Sequence, residues 1–271
     1  MYGAILGDII GSPYEFGCGK KSKDFDLLTE ESGFTDDTVM TVAVGEALLE
    51  LGAEPDSESV KQAVTKHMRD WGRRYPRAGY GSRFSGWLRA KDPKPYYSCG
   101  NGSAMRVSPV GWLYKTLTRT QTVAKATAEA THNHPEGIKG AVATATAIYG
   151  ARNGWSKQEI KDYIEDNYGY DLTTPLADIR PGYHHVETCQ GSVPQSIRCF
   201  LEGKDYEDSV RNAVSLAGDT DTMGAVAGSI AEAFYGIPLE LMADCKSRIP
   251  NSMQRVEERL YTRYVEMLHS D

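Results

Sequence analysis

An all-α fold is predicted on two observations. Apolar residues recur at helical spacing behind recognisable start signals, and alternating strand patterns flanked by hairpin turns are scarce. The chain has 271 residues, 40% hydrophobic and 25% charged, which suffices for a large core in an ordered globular protein. No linker or low-complexity segment divides it, so one domain over residues 1–271 is expected.

The first expected helix is capped by Thr35 or Asp36 and runs through Val39, Val42 and Val44 to Leu51. Residues 57–73 begin with the capping-type run Ser57-Glu58-Ser59 and place Val60, Val64, His67, Met68 and Trp71 on one face. Residues 120–131 continue the pattern. Pro135 fits the first turn of a helix passing through Ala141, Ala143, Ala145 and Ala147. Ser156 opens another, with Glu159 as its capping-box partner and Ile160, Tyr163 and Ile164 apolar. Helices over 205–216, 219–235 and 252–268 complete the set. The small residues after positions 137 and 222 let backbones approach closely, so both helices are expected at the centre. Two loop-rich regions remain, 74–103 and 168–194, and long loops in a compact chain tend to carry function.

Composition excludes several classes. The net charge is -7 and no dense Lys/Arg block appears, so a nucleic-acid footprint is missing. Five scattered cysteines, Cys18, Cys99, Cys189, Cys199 and Cys245, form no Cys-x-x-Cys pair. They suit a reducing cytoplasm and give no zinc signature. The N-terminal run lacks a basic region and meets an acid at position 8, which argues against a signal peptide. No apolar run approaches the roughly 20 residues needed to span a bilayer.

Chemistry concentrates in two similar stretches, Thr35-Asp36-Asp37-Thr38 and Asp219-Thr220-Asp221-Thr222. Each precedes an expected helix, and each residue type there is a good N-cap. A cap needs one acceptor, however, and each stretch offers several hard oxygens of the kind that bind Mg²⁺, Mn²⁺ or Ca²⁺. Gly100-Asn101-Gly102 reads either as a turn or as a backbone cradle for phosphate, with Ser98 adding a hydroxyl. His132 and His134 lie near a helix start without a third transition-metal ligand. Trp87, Tyr96 and Tyr97 lie in the adjoining loop, as core residues or as a stacking face for a base.

Taken in order, Gly7-Asp8 with Glu15, Thr35-Asp36-Asp37-Thr38, Gly100-Asn101-Gly102-Ser103-Ala104-Met105-Arg106, Thr131-His132 and Asp219-Thr220-Asp221-Thr222 resemble the ADP-ribosylglycohydrolase family. Its relatives include the enzyme that removes ADP-ribose from dinitrogenase reductase. The resemblance covers residues 2 to 240. It implies an all-α, compact orthogonal multi-helix bundle with a dimetal site at the mouth of a ligand cleft. Two Mg²⁺, with Mn²⁺ as a substitute, are implied at Thr35, Asp36, Asp37, Asp219, Asp221 and Thr222.

Glu15 matches the family's early acid beside the metals, and Glu15 and Asp36 are the implied proton-handling residues. Ser98, Gly100, Asn101, Gly102 and His132 are the implied ADP-ribose contacts, joined by Gly79 and Gly81 on a shorter match. Arg106 and Met105 are read as structural supports, and His134 as a cap.

The implied reaction is hydrolysis of the C1″ bond between ADP-ribose and a protein side chain, arginine first. O-linked conjugates to serine or small ADP-ribose esters are the alternative, and a non-catalytic ADP-ribose-binding module or a phosphoesterase that cuts within the pyrophosphate the competing classes. Discrimination is expected in 168–194, at Tyr183, Glu187 and Gln190. A cytoplasmic monomer acting on an ADP-ribosylated protein or a small conjugate, with no membrane or nucleic-acid partner, is expected.

Overall fold

The structure, a computed structural model, describes residues 1–17 and 21–269; Cys18 lies outside the described residues. Fifteen α-helices and no sheet are found among the described residues; a single isolated bridge joins Gly100 to Thr188. The helices are α1 (Tyr2–Gly11), α2 (Asp36–Glu50), α3 (Ser57–Arg74), α4 (Ser82–Arg89), α5 (Gly102–Met105), α6 (Ser108–Leu113), α7 (Leu117–Glu129), α8 (Pro135–Arg152), α9 (Lys157–Tyr168), α10 (Leu176–Ile179), α11 (Cys189–Glu202), α12 (Tyr206–Val214), α13 (Thr220–Tyr235), α14 (Leu239–Arg248) and α15 (Asn251–His269). The fold is all-α, as expected.

Local signals act where the sequence places them. Ser156 and Glu159 form a reciprocal capping box on α9. The Nδ1 of His134 accepts the Glu136 N–H at 3.1 Å and caps α8 ahead of Pro135. The cap of α3 is Asp56, one residue earlier than the expected start, because its carboxylate reaches the N–H groups of both Glu58 and Ser59.

The short helices α5, α6 and α10, and α14, fall outside the expected set, and two longer ones escape the periodicity for identifiable reasons. All ten residues of α1 are buried, so it has no polar face to alternate with. Pro194 sits inside α11, where its missing N–H reads as a breaker, so residues 189–194 pass for loop. The expected loop 74–103 likewise contains α4.

The centre of the molecule is the antiparallel pair α1 and α13. Gly3, Gly7 and Gly11 lie one turn apart on α1 and face Gly228, Gly224 and Thr220. A Cβ on Gly7 would come within 2.0 Å of the Gly224 carbonyl oxygen, and one on Gly224 within 2.4 Å of the Gly7 oxygen. Backbone touches backbone here, and no rotamer change can make room. Ala141, Ala143, Ala145 and Ala147 of α8 are fully buried as well, in the same core.

The α1–α13 contact brings the end of α1 to the start of α13. Gly7→Ala is therefore expected to lower the melting temperature by roughly 5 °C or more, from an overpacking cost of about 3 kcal/mol. Gly52→Ala, where the added carbon meets nothing within 4 Å, should leave the melt unchanged; thermal denaturation of both variants checks it.

Candidate functional site

Three chain segments converge at the contact between α1 and α13. Residue 11 closes α1, the short 3-10 turn Ser12–Tyr14 follows, and Glu15 emerges in extended backbone. Asp219 and Asp221 occupy the N-terminus of α13. Asp36 and Asp37 stand in the first turn of α2. Carboxylate oxygens of Glu15, Asp219 and Asp221 all lie within 4.8 Å of one another. The Thr222 hydroxyl donates to Asp37 Oδ2 at 3.3 Å and so ties the two acidic stretches together.

The capping reading splits between the stretches. Thr35 is a true cap of α2, its hydroxyl oxygen accepting the Asp37 N–H at 3.3 Å. Asp219 precedes α13 but makes no side-chain cap; its Oδ2 accepts instead from the Asn101 amide at 2.7 Å. The left-handed backbone of Ala217 (φ 52°) precedes Asp219, and that of Phe16 (φ 52°) follows Glu15. Such conformations cost about 1–3 kcal/mol each and concentrate at functional sites.

Asp8, the acid of the Gly7-Asp8 motif, proves central. Fully buried on α1, it accepts four hydrogen bonds, from the N–H and hydroxyl of Thr35 and of Thr38, at 2.5 to 3.1 Å. It thus anchors the start of α2 from across the core. The available signal was an acid within an otherwise apolar run, Ala4-Ile5-Leu6-Gly7-Asp8-Ile9-Ile10.

A cavity of about 400 Å³ opens over these acids, within the roughly 300–1,000 Å³ of small-molecule sites. It is lined by Glu15, Thr35, Asp36, Asp37, Gly79, Gly81, Ser98, Gly100, Asn101, Gly102, His132, Asp219, Asp221 and Thr222, and also by Phe16, Ser82, Arg83, Phe84, Tyr96, Met105, Arg106 and Glu187. The sequence-predicted residues are therefore brought together. Their contacts differ in kind. Asn101 spends its amide on Asp219 and on Ser192 Oγ (3.1 Å), which makes it a holder of the acidic cluster. Gly79 has φ 103° and lies where a Cβ would come 3.3 Å from Asp36 Oδ1. The Ser98 hydroxyl oxygen accepts the Gly100 N–H at 3.1 Å and shapes the glycine turn.

Of the three aromatics weighed for stacking, only Tyr96 lines the cavity. Trp87 is buried against Phe84, and Tyr97 is exposed and packs on His134. From the 168–194 region Glu187 reaches the cavity. The Tyr183 hydroxyl donates to the Gly191 carbonyl at 2.9 Å, and Gln190 faces a different surface cleft. His185 stands behind the rim: its Nε2 lies 3.0 Å from Glu187 Oε1, and its ring is 5.4 Å from that of Phe16.

The cavity has two chemically opposite ends. At one, His132 stands against the glycine turn, Arg106 is joined to it through Thr131, and Arg83 lies over the Tyr96 ring. At the other are the acids, and burial there, added to the nearby Asp221 carboxylate, raises their affinity for protons. Asp8 is pushed up to about 7, and Glu15 and Asp36 to about 8. Asp37 and Asp219 are displaced upward for the same reasons.

Asp37 Oδ1 is buried without a hydrogen-bond partner. An orphaned carboxylate oxygen within an all-oxygen donor set fits a hard divalent cation, and the absence of His or Cys from the set does not suit zinc.

The ADP-ribosylglycohydrolase family model matches residues 1–267, and the chain belongs to that family. Human ADP-ribosylhydrolase ARH3 is 27% identical, covering 88% of this chain and 84% of that protein. An uncharacterized protein of Archaeoglobus fulgidus is 27% identical over 96% of this chain and 94% of its own length. A solved ADP-ribosylglycohydrolase-related protein complex superposes with a TM-score of 0.66 at 26% identity, covering 99% of this chain and 97% of that one. The chain is thus a glycosyl hydrolase of a metal-dependent family, with an acidic cluster able to take a metal. No helix among the described residues is long and apolar enough to cross a membrane.

Two expectations follow from the site. A carboxyl whose proton affinity is raised by folding stabilises the fold below its unfolded value and loses that contribution as pH rises through the folded one. In EDTA the protein should therefore lose thermal stability between about pH 4 and about pH 8, with Asp8, Glu15 and Asp36 responsible. Added Mg²⁺ should restore it most at the upper end of that range; melting curves with and without the ion check this. Asp8→Asn keeps one accepting oxygen and turns the other into an NH2 group, so at least one of the four donors loses its acceptor; this should cost about 1–3 kcal/mol, measurable by denaturant titration.

Proposed function

We propose that this protein is a Mg²⁺-dependent ADP-ribosyl hydrolase that cleaves the C1″ bond joining ADP-ribose to an arginine side chain. We further propose that one domain over residues 1–271 carries the activity, and that the protein acts as a monomer in the cytoplasm. The observation that carries the reading is the convergence of all fourteen motif residues on one cavity with an acidic and a donor-rich end. The donor-rich end suits a diphosphate: glycines permit close backbone approach, His132 can donate a hydrogen bond, and two arginines supply positive potential. The acidic end suits the distal ribose.

Thr35, Asp36, Asp37, Asp219, Asp221 and Thr222 would hold two Mg²⁺, and Mn²⁺ would substitute. Bound there, the ions supply Lewis acidity and orientation at the ribose hydroxyls. The chain's own contribution is proton handling and placement. A water replaces the leaving side chain at C1″; the new C–O bond forms as the old glycosidic bond breaks. Glu15 or Asp36 takes the water's proton, and the departing nitrogen takes one in return. Glu15 is half-buried, faces both acidic stretches and lies near Glu187, so it can exchange protons with the substrate and with solvent.

Arginine as the attachment residue is supported by the rim. Glu187 presents a carboxylate at the cavity edge, and Phe16, 76% exposed, lines the same cavity, with His185 in contact with both. A guanidinium pairs with the first and stacks on the second.

The test incubates the protein with arginine- and serine-ADP-ribosylated substrates in Mg²⁺ and in EDTA. Free ADP-ribose from the arginine conjugate, lost in EDTA, is expected. Release from the serine conjugate alone would move the assignment to O-linked bonds, and AMP as product would replace a glycohydrolase by a phosphoesterase. Binding without turnover would leave a non-catalytic module. Asp221→Ala should lose more than the roughly 100-fold typical of removing a partner outside the metal's own ligands.

A further inference from the structure

Arg106 is the largest charged group in the core, 1% exposed, and beyond its positive potential the reaction gives it no task. Its Nη2 donates to the Thr131 hydroxyl oxygen at 2.8 Å. That oxygen lies 2.6 Å from His132 Nδ1. All three side chains are buried, and the Thr131 carbonyl is fixed by the Tyr96 N–H at 3.1 Å.

The proton count along this chain has one natural solution. A guanidinium donates and never accepts. Thr131 receives that bond on one of its two lone pairs, and Nδ1 is the one acceptor its hydroxyl hydrogen meets among the described residues, so an Nδ1–H donating to the second lone pair would leave that buried hydrogen unpaired. Nδ1 is then the acceptor, and the ring proton must sit on Nε2. That nitrogen lies 3.2 Å and 3.4 Å from where a Cβ on Gly102 or Gly100 would stand, so it looks across the glycine turn. Burial, with Arg106 and Arg83 nearby, also disfavours the imidazolium.

We propose that Arg106 and Thr131 are positioning residues that fix His132 as the Nε2–H tautomer, a neutral hydrogen-bond donor held over the glycine turn for an anionic oxygen of the substrate's diphosphate. The identity of the ligand rests on the hydrolase reading; the tautomer does not. A neutral donor with one fixed hydrogen is oriented before the ligand arrives, and it neither gives up nor takes a proton across the working pH range. His132 is thereby a binding group and has no part in the acid–base step, which stays at the acidic end.

The test is long-range ¹H–¹⁵N NMR of the substrate-free protein from pH 6 to pH 8, with the His132 signals assigned by their loss in His132→Gln. Wild type should show a protonated Nε2 and an unprotonated Nδ1 throughout. Thr131→Val keeps the side-chain shape and removes the relay; an Nδ1–H population should appear, and ADP-ribose affinity measured by calorimetry in Mg²⁺ should fall roughly tenfold, the scale of one lost hydrogen bond. Thr131→Ser restores the hydroxyl and should recover both.

An imidazolium or an Nδ1–H tautomer in wild type at pH 7 would overturn the proposal. So would a Thr131→Val protein with an unchanged spectrum. If wild type fails to bind ADP-ribose, the hydrolase reading falls, and the spectra still judge the relay.

Discussion

The backbone-to-backbone packing of α1 on α13 is the contact from which the site is built. With glycine on both sides at Gly7 and Gly224, the two helices meet without intervening side chains. Their antiparallel arrangement carries Glu15 off the end of α1 to the first turn of α13, where Asp219 and Asp221 stand. The same α1 carries Asp8, which fixes the start of α2 through Thr35 and Thr38 and so brings Asp36 and Asp37 to the same place. Wider helix spacing, as any side chain at these glycines would impose, separates three acidic segments at once.

Such convergence has an electrostatic cost, and the structure meets it unevenly. Asp8 is answered by four donors and Asp219 by the Asn101 amide, while one oxygen of Asp37 has no partner. Helix N-termini beneath Asp36, Asp37 and Asp221 offset part of the repulsion. The remainder appears as raised proton affinity, the property that a bound cation would reverse. Stability and function are in tension at this point of the fold: the arrangement that suits a metal is the one that least suits the chain alone.

Opposite the acids, positive charge is buried just as deeply. Arg106, Thr131 and His132 form a linear hydrogen-bonded chain behind the glycine turn, while Arg83 lies over the Tyr96 ring at 4.8 Å. Asn101 and Met105 stand between the two ends, touching Asp219 and Thr222. A ligand with a diphosphate at one end and a sugar at the other matches this division of charge.

Helix signals were legible where a helix has two unlike faces or a strong cap, as in α3, α9 and α15. The motif residues were legible because carboxylates, hydroxyls and glycines in short runs have few other uses. The sequence by itself determined the all-α class, the acidic pair of stretches and the glycine turn, since these rest on local composition and spacing. Only the tertiary structure decided what each residue does. Asp219 looked like a helix cap, and the amide of Asn101 draws its carboxylate to the site instead. Asp8 looked like one acid among apolar neighbours, and its four partners come from 27 to 30 residues away. Glu187 reaches the rim, with His185 behind it, because the bridge from Gly100 to Thr188 draws that loop to the cavity. Hydrogen-bond partners of buried polar groups are set by which helices pack together, and no local window of sequence contains that information.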